Sequence, residues 1–397
     1  MSEININNSN KSIINNHFKH LVCDEYSESI FRGGQSKADE QLMNLDIRGY
    51  AKKRNNVYPQ SNRGSSYLSP YIRHGLLGLK EVWCAVDKFP YEDRTKFRDE
   101  LLWQEFSRHL YAIMGGKTKK MLNYSMVNIN KNVDTTEMNC IQTIENELIN
   151  TGYMVNQTRM WYSSHHTFRS ENKWNNYEDF MFKHLVDGSR FSNRLGWQWV
   201  MGGQTGKLYG FAQSQVKNRA PKLCQECNLQ YKCPIQTWPD ESKYEPIKQN
   251  LSFNILEKFG PKEVIGSTEK PQVVWLTGES LGDDDQALKA NPNLPVIFIF
   301  DEVLLNKIKV SSKRINFLLD TLRELSQKRE LLVMLDDPKL ILKNYKFTVT
   351  YACVPKYRDI TKLIKPVIEF PTNRLVEPIN YYPKSFTSWK KKVALTI

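Results

Sequence analysis

Residues 181–199 carry the side chains of this chain that are most suited to chemistry. Asp187, Asn193, Trp197 and Trp199 follow one another there at short, fixed offsets. An acid, an amide and two indoles so close together combine hydrogen bonding, stacking and redox capacity. Such groups suit a pocket for a flavin that also meets a nucleobase.

A run of cysteines is the second group with chemical capacity. Cys224, Cys227 and Cys233 lie within ten residues of a chain that has seven cysteines in all. The odd total and the spacing do not fit a secreted disulfide framework and favour a metal or cluster site. Such a centre usually takes four ligands, so this run is one ligand short.

A third stretch is rich in hydroxyl groups. Ser65, Ser66 and Ser69 stand just before Pro70. Ser69 suits a helix cap and Pro70 a first helical turn, so we predict a helix over Tyr71–Ala85. The free amides at such a helix start can bind an anion, although an ordinary capped helix would show the same pattern.

Composition limits the possible partners. Lys and Arg number 56 against 43 Asp and Glu, which gives a net charge of +13. This excess favours nucleic acid or an anionic membrane surface as a partner, but it also fits a merely basic soluble protein. No apolar run is long enough to span a membrane, and the first residues lack the features of a secretory signal or a transit peptide. We therefore expect a cytoplasmic protein.

The elements that must position these side chains are predicted to be helices. The chain from about Ile30 to Phe259 reads as mostly helical. Apolar residues recur at helical spacing in Asp99–Met114 and again in Cys140–Tyr162.

After Gly260 the pattern changes to short apolar runs that alternate with helical ones. We predict a helix at Lys313–Lys328 and strands at Val273–Thr277, Pro295–Phe300, Leu331–Leu335 and Phe347–Cys353. Such alternation argues for a parallel α/β sheet.

Four stretches of the helical part resemble the flavin domain of the DNA photolyase/cryptochrome family. They are residues 64–75, 100–108, 152–160 and 181–199, and they occur in the family's order. The stretch after Val274 is similar to the opening strand and loop of the family's α/β antenna domain, which comes first in the family. The resemblance thus implies an all-helical FAD-binding photolyase-type domain followed by a smaller Rossmann-like parallel α/β antenna-type domain, in permuted order.

This resemblance divides the chain into four regions. We expect a flexible N-terminal tail over 1–29, the helical FAD-binding domain over 30–265, the antenna-type domain over 270–375 and a C-terminal extension over 376–397. Thr277 and Leu281 stand where the family usually carries arginines in its antenna loop. The antenna chromophore is therefore left open.

The resemblance also implies a set of FAD-binding residues. Arg159 and Asp187 resemble the family's ion pair beside the flavin ring, and Asn193 resembles the amide that faces its N5 atom. Ser189 replaces a second family carboxylate. The full set is Tyr50, Ser65, Ser66, Leu68, Ser69, Arg159, Asp187, Ser189 and Asn193.

A second implied set would act on the substrate and on electron transfer. The residues that resemble those holding a flipped cyclobutane pyrimidine dimer are Glu100, Trp103, Asn156, Met160 and Trp199. Trp197 and Trp174 resemble the first two tryptophans of the family's photoreduction chain, with Asn193 beside the flavin. The third tryptophan has no counterpart, so Trp161 or a tyrosine is a candidate for the next step of the electron route.

The cysteine run gains a fourth member through the resemblance. Cys140 is similar to a cysteine of the iron–sulfur branch of photolyases, which there joins three downstream cysteines on a [4Fe–4S] cluster. This implies Cys140, Cys224, Cys227 and Cys233 as ligands. Structural zinc and free thiols remain alternatives.

Taken together, the resemblance implies a light-driven deoxyribodipyrimidine photolyase. Reduced FAD would split pyrimidine dimers in UV-damaged DNA by electron transfer, and we expect a monomer without a membrane partner. A cryptochrome-like blue-light photoreceptor that signals through partners is one alternative. A non-photochemical iron–sulfur module that binds nucleic acid is the other.

Overall fold

The computed structural model of the chain describes residues 2–126, 137–169, 173–236, 243–249, 251 and 253–397. Helices occupy the first part of the chain. They are α1 (Asn10–Ile13), α2 (Gln35–Met43), α3 (Tyr50–Lys53), α4 (Ser69–Arg73), α5 (Leu79–Ala85), α6 (Tyr91–Met114), α7 (Asn139–Thr151), α8 (Asn156–Phe168), α9 (Trp174–His184), α10 (Ser192–Val200), α11 (Gln213–Arg219) and α12 (Pro221–Gln225).

The long helix α6 confirms the prediction for Asp99–Met114 and extends it toward the N-terminus. It begins directly after Pro90 and carries Glu92 and Asp93 in its first turn, where carboxylates favour the positive end of the helix. It ends at Gly115, whose φ of +49° suits glycine. Its apolar stripe, which includes Phe106 and Leu110, is buried.

Two predicted helices are broken by glycines, so those predictions are wrong in their extent. The stretch Tyr71–Ala85 forms α4 and α5, separated by a turn at Gly75 with φ of +71°. The stretch Cys140–Tyr162 forms α7 and α8, separated at Gly152 with φ of +72°. A Cβ at Gly152 would lie 2.8 Å from Val186 Cγ2, so the turn needs glycine for its conformation and its close contact.

A mostly parallel sheet occupies the last part of the chain. In the described residues its strands are β1 (Ser2–Glu3), β4 (Ile265–Gly266), β5 (Val273–Leu276), β6 (Val296–Asp301), β7 (Leu331–Asp336), β8 (Phe347–Thr350) and β9 (Ile368–Phe370), in the order β1-β7-β6-β5-β8-β9-β4. The remaining strands, β2 (Tyr124–Met126) and β3 (Tyr244–Pro246), form a small antiparallel pair.

The central strands β5 to β9 run parallel, as predicted, and their order is that of a doubly wound α/β domain. The helices of this part are α13 (Gln286–Ala290), α14 (Glu302–Ile308), α15 (Ser312–Ser326), α16 (Pro338–Leu342) and α17 (Pro355–Leu363), and α18 (Phe386–Lys390) follows the sheet. The predicted helix and strands are each confirmed with shifts of a few residues at their ends. The sheet is mixed, because β1 and β4 add antiparallel edges.

The N-terminal residues are packed against the α/β part, so the prediction of a flexible tail is wrong. Strand β1 pairs with β7 and so covers a strand edge that would otherwise be open. Ile13, Ile14 and Phe18 are buried, and the Phe18 ring lies 4.9 Å from that of Phe300. The few apolar side chains of this Asn-rich segment are therefore enough to pack it against the α/β part.

The helical and α/β parts meet at the loop that follows β5. The His74 ring nitrogens lie 3.0 Å from the Gly278 carbonyl oxygen and 3.1 Å from that of Val186. Burial lowers the pKa of His74 to about 3. Leu281, which stands at a family arginine position, donates its N–H to the His74 carbonyl oxygen and is buried. This loop is therefore part of the junction between the two parts.

None of the helices in the described part of the chain is both long enough and apolar enough to cross a bilayer.

Candidate functional site

A cavity of about 650 Å³ lies within the helical part. It is lined by residues of α3, α4, α6, α8, α10 and α11 and of the loops that connect them. The sequence-predicted residues that line it are Tyr50, Ser65, Ser66, Ser69, Glu100, Trp103, Asn156, Arg159, Met160, Asp187, Ser189 and Trp199. The structure thus brings most of the two predicted sets together around one cavity.

An ion pair belongs to the lining of this cavity. Arg159 donates from Nη2 to Asp187 Oδ2 over 2.7 Å and from Nε to the Met154 carbonyl oxygen over 2.9 Å. Asp187 is 4% exposed, and its Oδ1 atom is buried without a hydrogen-bond partner. An orphaned buried carboxylate oxygen on a cavity wall is a place for a ligand donor, because leaving it unpaired is costly.

Hydroxyl groups line another part of the wall. Ser65 Oγ lies 2.8 Å from the Tyr153 hydroxyl, while Ser69 Oγ is buried without a partner. Ser69 is the first residue of α4 and not its cap, since Leu68 occupies that position. Because α4 has five residues, hydroxyl groups rather than a long helix dipole are what this wall offers to an anion. Leu68 is buried and does not line the cavity.

Helix α10 presents one face to the cavity. Ser192, Gly196 and Trp199 line it at helical spacing, and no atom outside the local backbone lies within 4 Å of a Cβ placed at Gly196. Asn193 is buried and does not line the cavity. Its Oδ1 accepts from the Ser189 N–H over 2.7 Å, so the role of this amide at the flavin N5 stays a prediction.

The base-side residues form an aromatic corner beside an acid. The Trp103 and Trp199 rings lie 6.4 Å apart at 77°. Glu100, one turn before Trp103 on α6, accepts from Arg54 Nη1 over 2.9 Å. Burial raises the pKa of Glu100, while the charges of Arg54 and Lys96 lower it. Two aromatic faces and a carboxyl with a raised pKa can stack on a flat heterocycle and bond its polar edge.

The predicted photoreduction pair lies behind the cavity. The Trp197 and Trp174 rings are 6.1 Å apart at 31°, and neither side chain lines the cavity. Trp197 is fully buried, and Trp174 is partly buried. Tyr162, also buried, lies 6.1 Å from Trp197 on another side, whereas Trp161 contacts Phe211. The two tryptophans therefore form a contact pair that leads from the interior toward the surface.

The four cysteines Cys140, Cys224, Cys227 and Cys233 surround a separate small cavity. Burial raises the pKa values of Cys140, Cys224 and Cys233. In the described part of the chain, no three of the four sulfur atoms lie within 4.8 Å of one another. The four cysteines thus meet at one place, and their role as cluster or zinc ligands stays a prediction.

Comparison with known proteins places the cavity in a family. A family model described as the FAD binding domain of DNA photolyase matches residues 97–219, which contain most of α6, all of α8 and α10, and most of the cavity lining. The helical part belongs to the photolyase/cryptochrome family.

Individual photolyases match this part of the chain at low identity. The deoxyribodipyrimidine photo-lyase of Synechococcus sp. is 28% identical over 178 residues, which are 40% of this chain and 36% of that protein. That of Vibrio cholerae is 25% identical over 185 residues, which are 41% of this chain and 39% of that protein. The match therefore spans little more than a third of the length of these relatives.

A solved cryptochrome structure from Synechocystis sp. PCC6803 is 21% identical, with a TM-score of 0.42 over 50% of this chain and 45% of that chain.

Some wall residues of this photolyase-type cavity had no signal in the sequence. Tyr153 reads as part of an apolar helical stripe, yet its hydroxyl contacts Ser65 at the cavity. Gly196 reads as an ordinary glycine within a helix, and only the space beside it marks it as a wall residue. Tyr209 and Gln204 come from a stretch without a recognisable motif.

Proposed function

We propose that this protein is a light-driven deoxyribodipyrimidine photolyase that binds FAD in the 650 Å³ cavity. The observation that carries the proposal is the single cavity that a polar set and an aromatic set both line. The polar set includes the orphaned oxygens of Asp187 and Ser69, and the aromatic set is the Trp103–Trp199 corner.

The residues of the polar set fit FAD. When bound, FAD supplies the electron that light sends to the damaged base and takes back afterwards. Arg159 and Asp187 present a fixed cation and a free carboxylate oxygen to the ring, and Ser65, Ser66 and Ser69 offer hydroxyls to the diphosphate. Gly196 leaves space that any side chain would fill.

The aromatic set fits a flipped pyrimidine dimer. Extruding a damaged base costs a few kcal/mol, which is less than for an intact one. Stacking on Trp103 and Trp199 would return about 1–3 kcal/mol per base. Glu100, in its neutral form, would donate to a base carbonyl and steady the negative charge that develops there. Asn156 and Met160 line the same region from α8.

Two further parts of the proposal concern electrons and DNA. Trp197 and Trp174 would carry an electron from the surface to the flavin, because their rings are in contact and Trp174 is partly exposed. The net charge of +13 would bind backbone phosphates, so affinity should fall steeply with added salt. The α/β part would correspond to the family's antenna domain in permuted order.

The direct test is repair of a defined substrate. The purified protein, reconstituted with FAD and reduced, is illuminated with an oligonucleotide that contains one thymine dimer, and restored thymines are counted. We expect light-dependent loss of the dimer and none in the dark. Flavin binding without dimer loss would favour a cryptochrome-like photoreceptor, and failure to bind FAD would refute the proposal.

We further propose that Cys140, Cys224, Cys227 and Cys233 hold a [4Fe–4S] cluster. The position of all four cysteines around one small cavity supports a shared metal centre, and a set of four cysteines is a usual ligand set for such a cluster. Arg169, whose pKa burial lowers to about 10, lies close enough to Cys140 and Cys233 for its charge to favour an anionic centre. Anaerobic purification should give about four irons and four sulfides per chain.

Two variants sharpen this cluster test. Cys224→Ser should remove most of the iron and sulfide. Cys84→Ser, at an exposed cysteine that does not belong to the group of four, should leave both unchanged. Zinc without sulfide in the native protein would contradict the cluster and support the single-ion alternative.

A further inference from the structure

The C-terminal segment, residues 376–397, folds back onto the helix that carries the base-side residues. Its ends are joined, because Val376 bridges Leu395 and the Thr396 N–H donates to the Leu375 carbonyl oxygen. Helix α18 lies between these ends and is capped by the Ser385 hydroxyl, which accepts from the Ser388 N–H. The segment is therefore a closed loop with a short helix in its middle.

Helix α18 is anchored to α6 on two sides. The Trp389 side chain is fully buried, with its ring 5.4 Å from that of Phe106 and 5.5 Å from that of His109. Lys390 forms an ion pair with Asp99. Phe106, His109 and Asp99 all belong to α6, so the loop is fixed to the helix that carries Glu100 and Trp103.

The anchored helix places Phe386 flat against Trp103. The two ring centroids are 3.9 Å apart and the planes differ by 11°. Phe106 contacts the same indole edge-on, with centroids 5.6 Å apart. Phe386 does not line the cavity, whereas Trp103 does. One face of the indole is thus covered from behind while the residue still reaches the cavity.

We infer that Phe386 is a positioning residue that holds the Trp103 indole in the orientation in which it stacks on a damaged base, an inference that rests on the proposed function. A side chain already fixed before binding loses less conformational freedom when the base arrives. Stacked aromatic pairs also prefer defined geometries, so Phe386 favours one plane for the indole. Undamaged DNA, which stays outside the cavity, gains nothing from this arrangement.

The experiment compares binding of two oligonucleotides of one sequence, with and without a single thymine dimer, to the full-length FAD-loaded protein. Phe386→Ala should raise the Kd for the dimer about two- to tenfold and leave the Kd for undamaged DNA unchanged. In repair assays KM should rise by a similar factor, with kcat changed less. Phe386→Tyr, which keeps the aromatic face, should restore the native values. Thr387→Ala, at an exposed position of α18, should have no effect.

A second arm shows whether Phe386 acts through Trp103. In a Trp103→Ala background, Phe386→Ala should add no further loss of dimer affinity. The inference would be overturned if Phe386→Ala reduced dimer affinity equally with Trp103 and with Ala at that position. It would also be overturned if Phe386→Ala reduced the affinity for damaged and undamaged DNA equally, or left both unchanged. The proposed function fails separately, and is recognised by a native protein that binds no FAD or does not prefer the dimer.

Discussion

Gly196 offers the sharpest test of where the flavin lies. It belongs to the face of α10 that lines the cavity, between Ser192 and Trp199. A Cβ placed there meets no atom within 4 Å apart from the helix's own backbone. A side chain at this position would therefore enter the cavity and would not displace protein atoms.

This geometry predicts effects of opposite sign on folding and on ligand binding. Replacing a glycine inside a helix with alanine stabilises it by about 0.5–1 kcal/mol, so Gly196→Ala should raise the free energy of unfolding of the flavin-free protein by that amount. Gly196→Leu would occupy space that the ligand needs. Overpacking costs about 1–3 kcal/mol, which would weaken FAD binding about 5- to 150-fold.

The assay pairs urea unfolding of the flavin-free protein with titration of FAD followed by flavin fluorescence. Gly116→Leu is the matched control, since Gly116, like Gly196, is exposed and has nothing within 4 Å of its Cβ position but lies outside the cavity lining. That variant should bind FAD like the native protein. Native FAD affinity in Gly196→Leu would refute the placement of the flavin, and a Gly196→Leu protein that fails to fold would refute the open space beside this residue.

Three further perturbations test other parts of the site. Asp187→Asn should weaken FAD binding and lower the free energy of unfolding by up to about 3–5 kcal/mol, because it breaks the pair with Arg159. The control Glu147→Gln breaks the buried pair with Arg63, which lies outside the cavity lining, and should lower the free energy of unfolding only. An equal loss of FAD affinity in both variants would count against the flavin role of Asp187. Trp197→Phe should stop light-driven reduction of the bound flavin, measured by its absorbance with an external reductant, while Trp275→Phe, at a buried tryptophan of the α/β part, should not. Reduction at the native rate in Trp197→Phe would exclude this route. Burial raises the pKa of Glu100, so its neutral form persists to higher pH than in a free glutamate. The affinity for the dimer should therefore fall as the pH rises through that pKa, and in Glu100→Gln it should not change over the same range. A native affinity that does not depend on pH would contradict a role for the neutral acid.

Local pattern was a reliable guide wherever an element depends on its own periodicity. The apolar stripe predicted α6, and the short apolar runs predicted the parallel strands β5 to β8. It failed where a contact with a distant segment decides the backbone. Gly152 breaks a continuous helical pattern because the turn there packs against Val186. The N-terminal residues looked like a mobile tail because their partner strand, β7, is far away in the sequence, and no local pattern reveals such a pairing.

The sequence alone determined which side chains are available and in what order: the acid, the amide, the indoles, the hydroxyls and the four cysteines. Through their resemblance to the photolyase flavin domain they predicted a flavin site, and twelve of the predicted residues line one cavity. Only the tertiary structure decided that the cavity exists, that Gly196 leaves it open and that Phe386 stacks on Trp103. The physical reason is that residue types and short spacings are written in the local chain, while empty space and contacts between distant segments arise only when the elements pack.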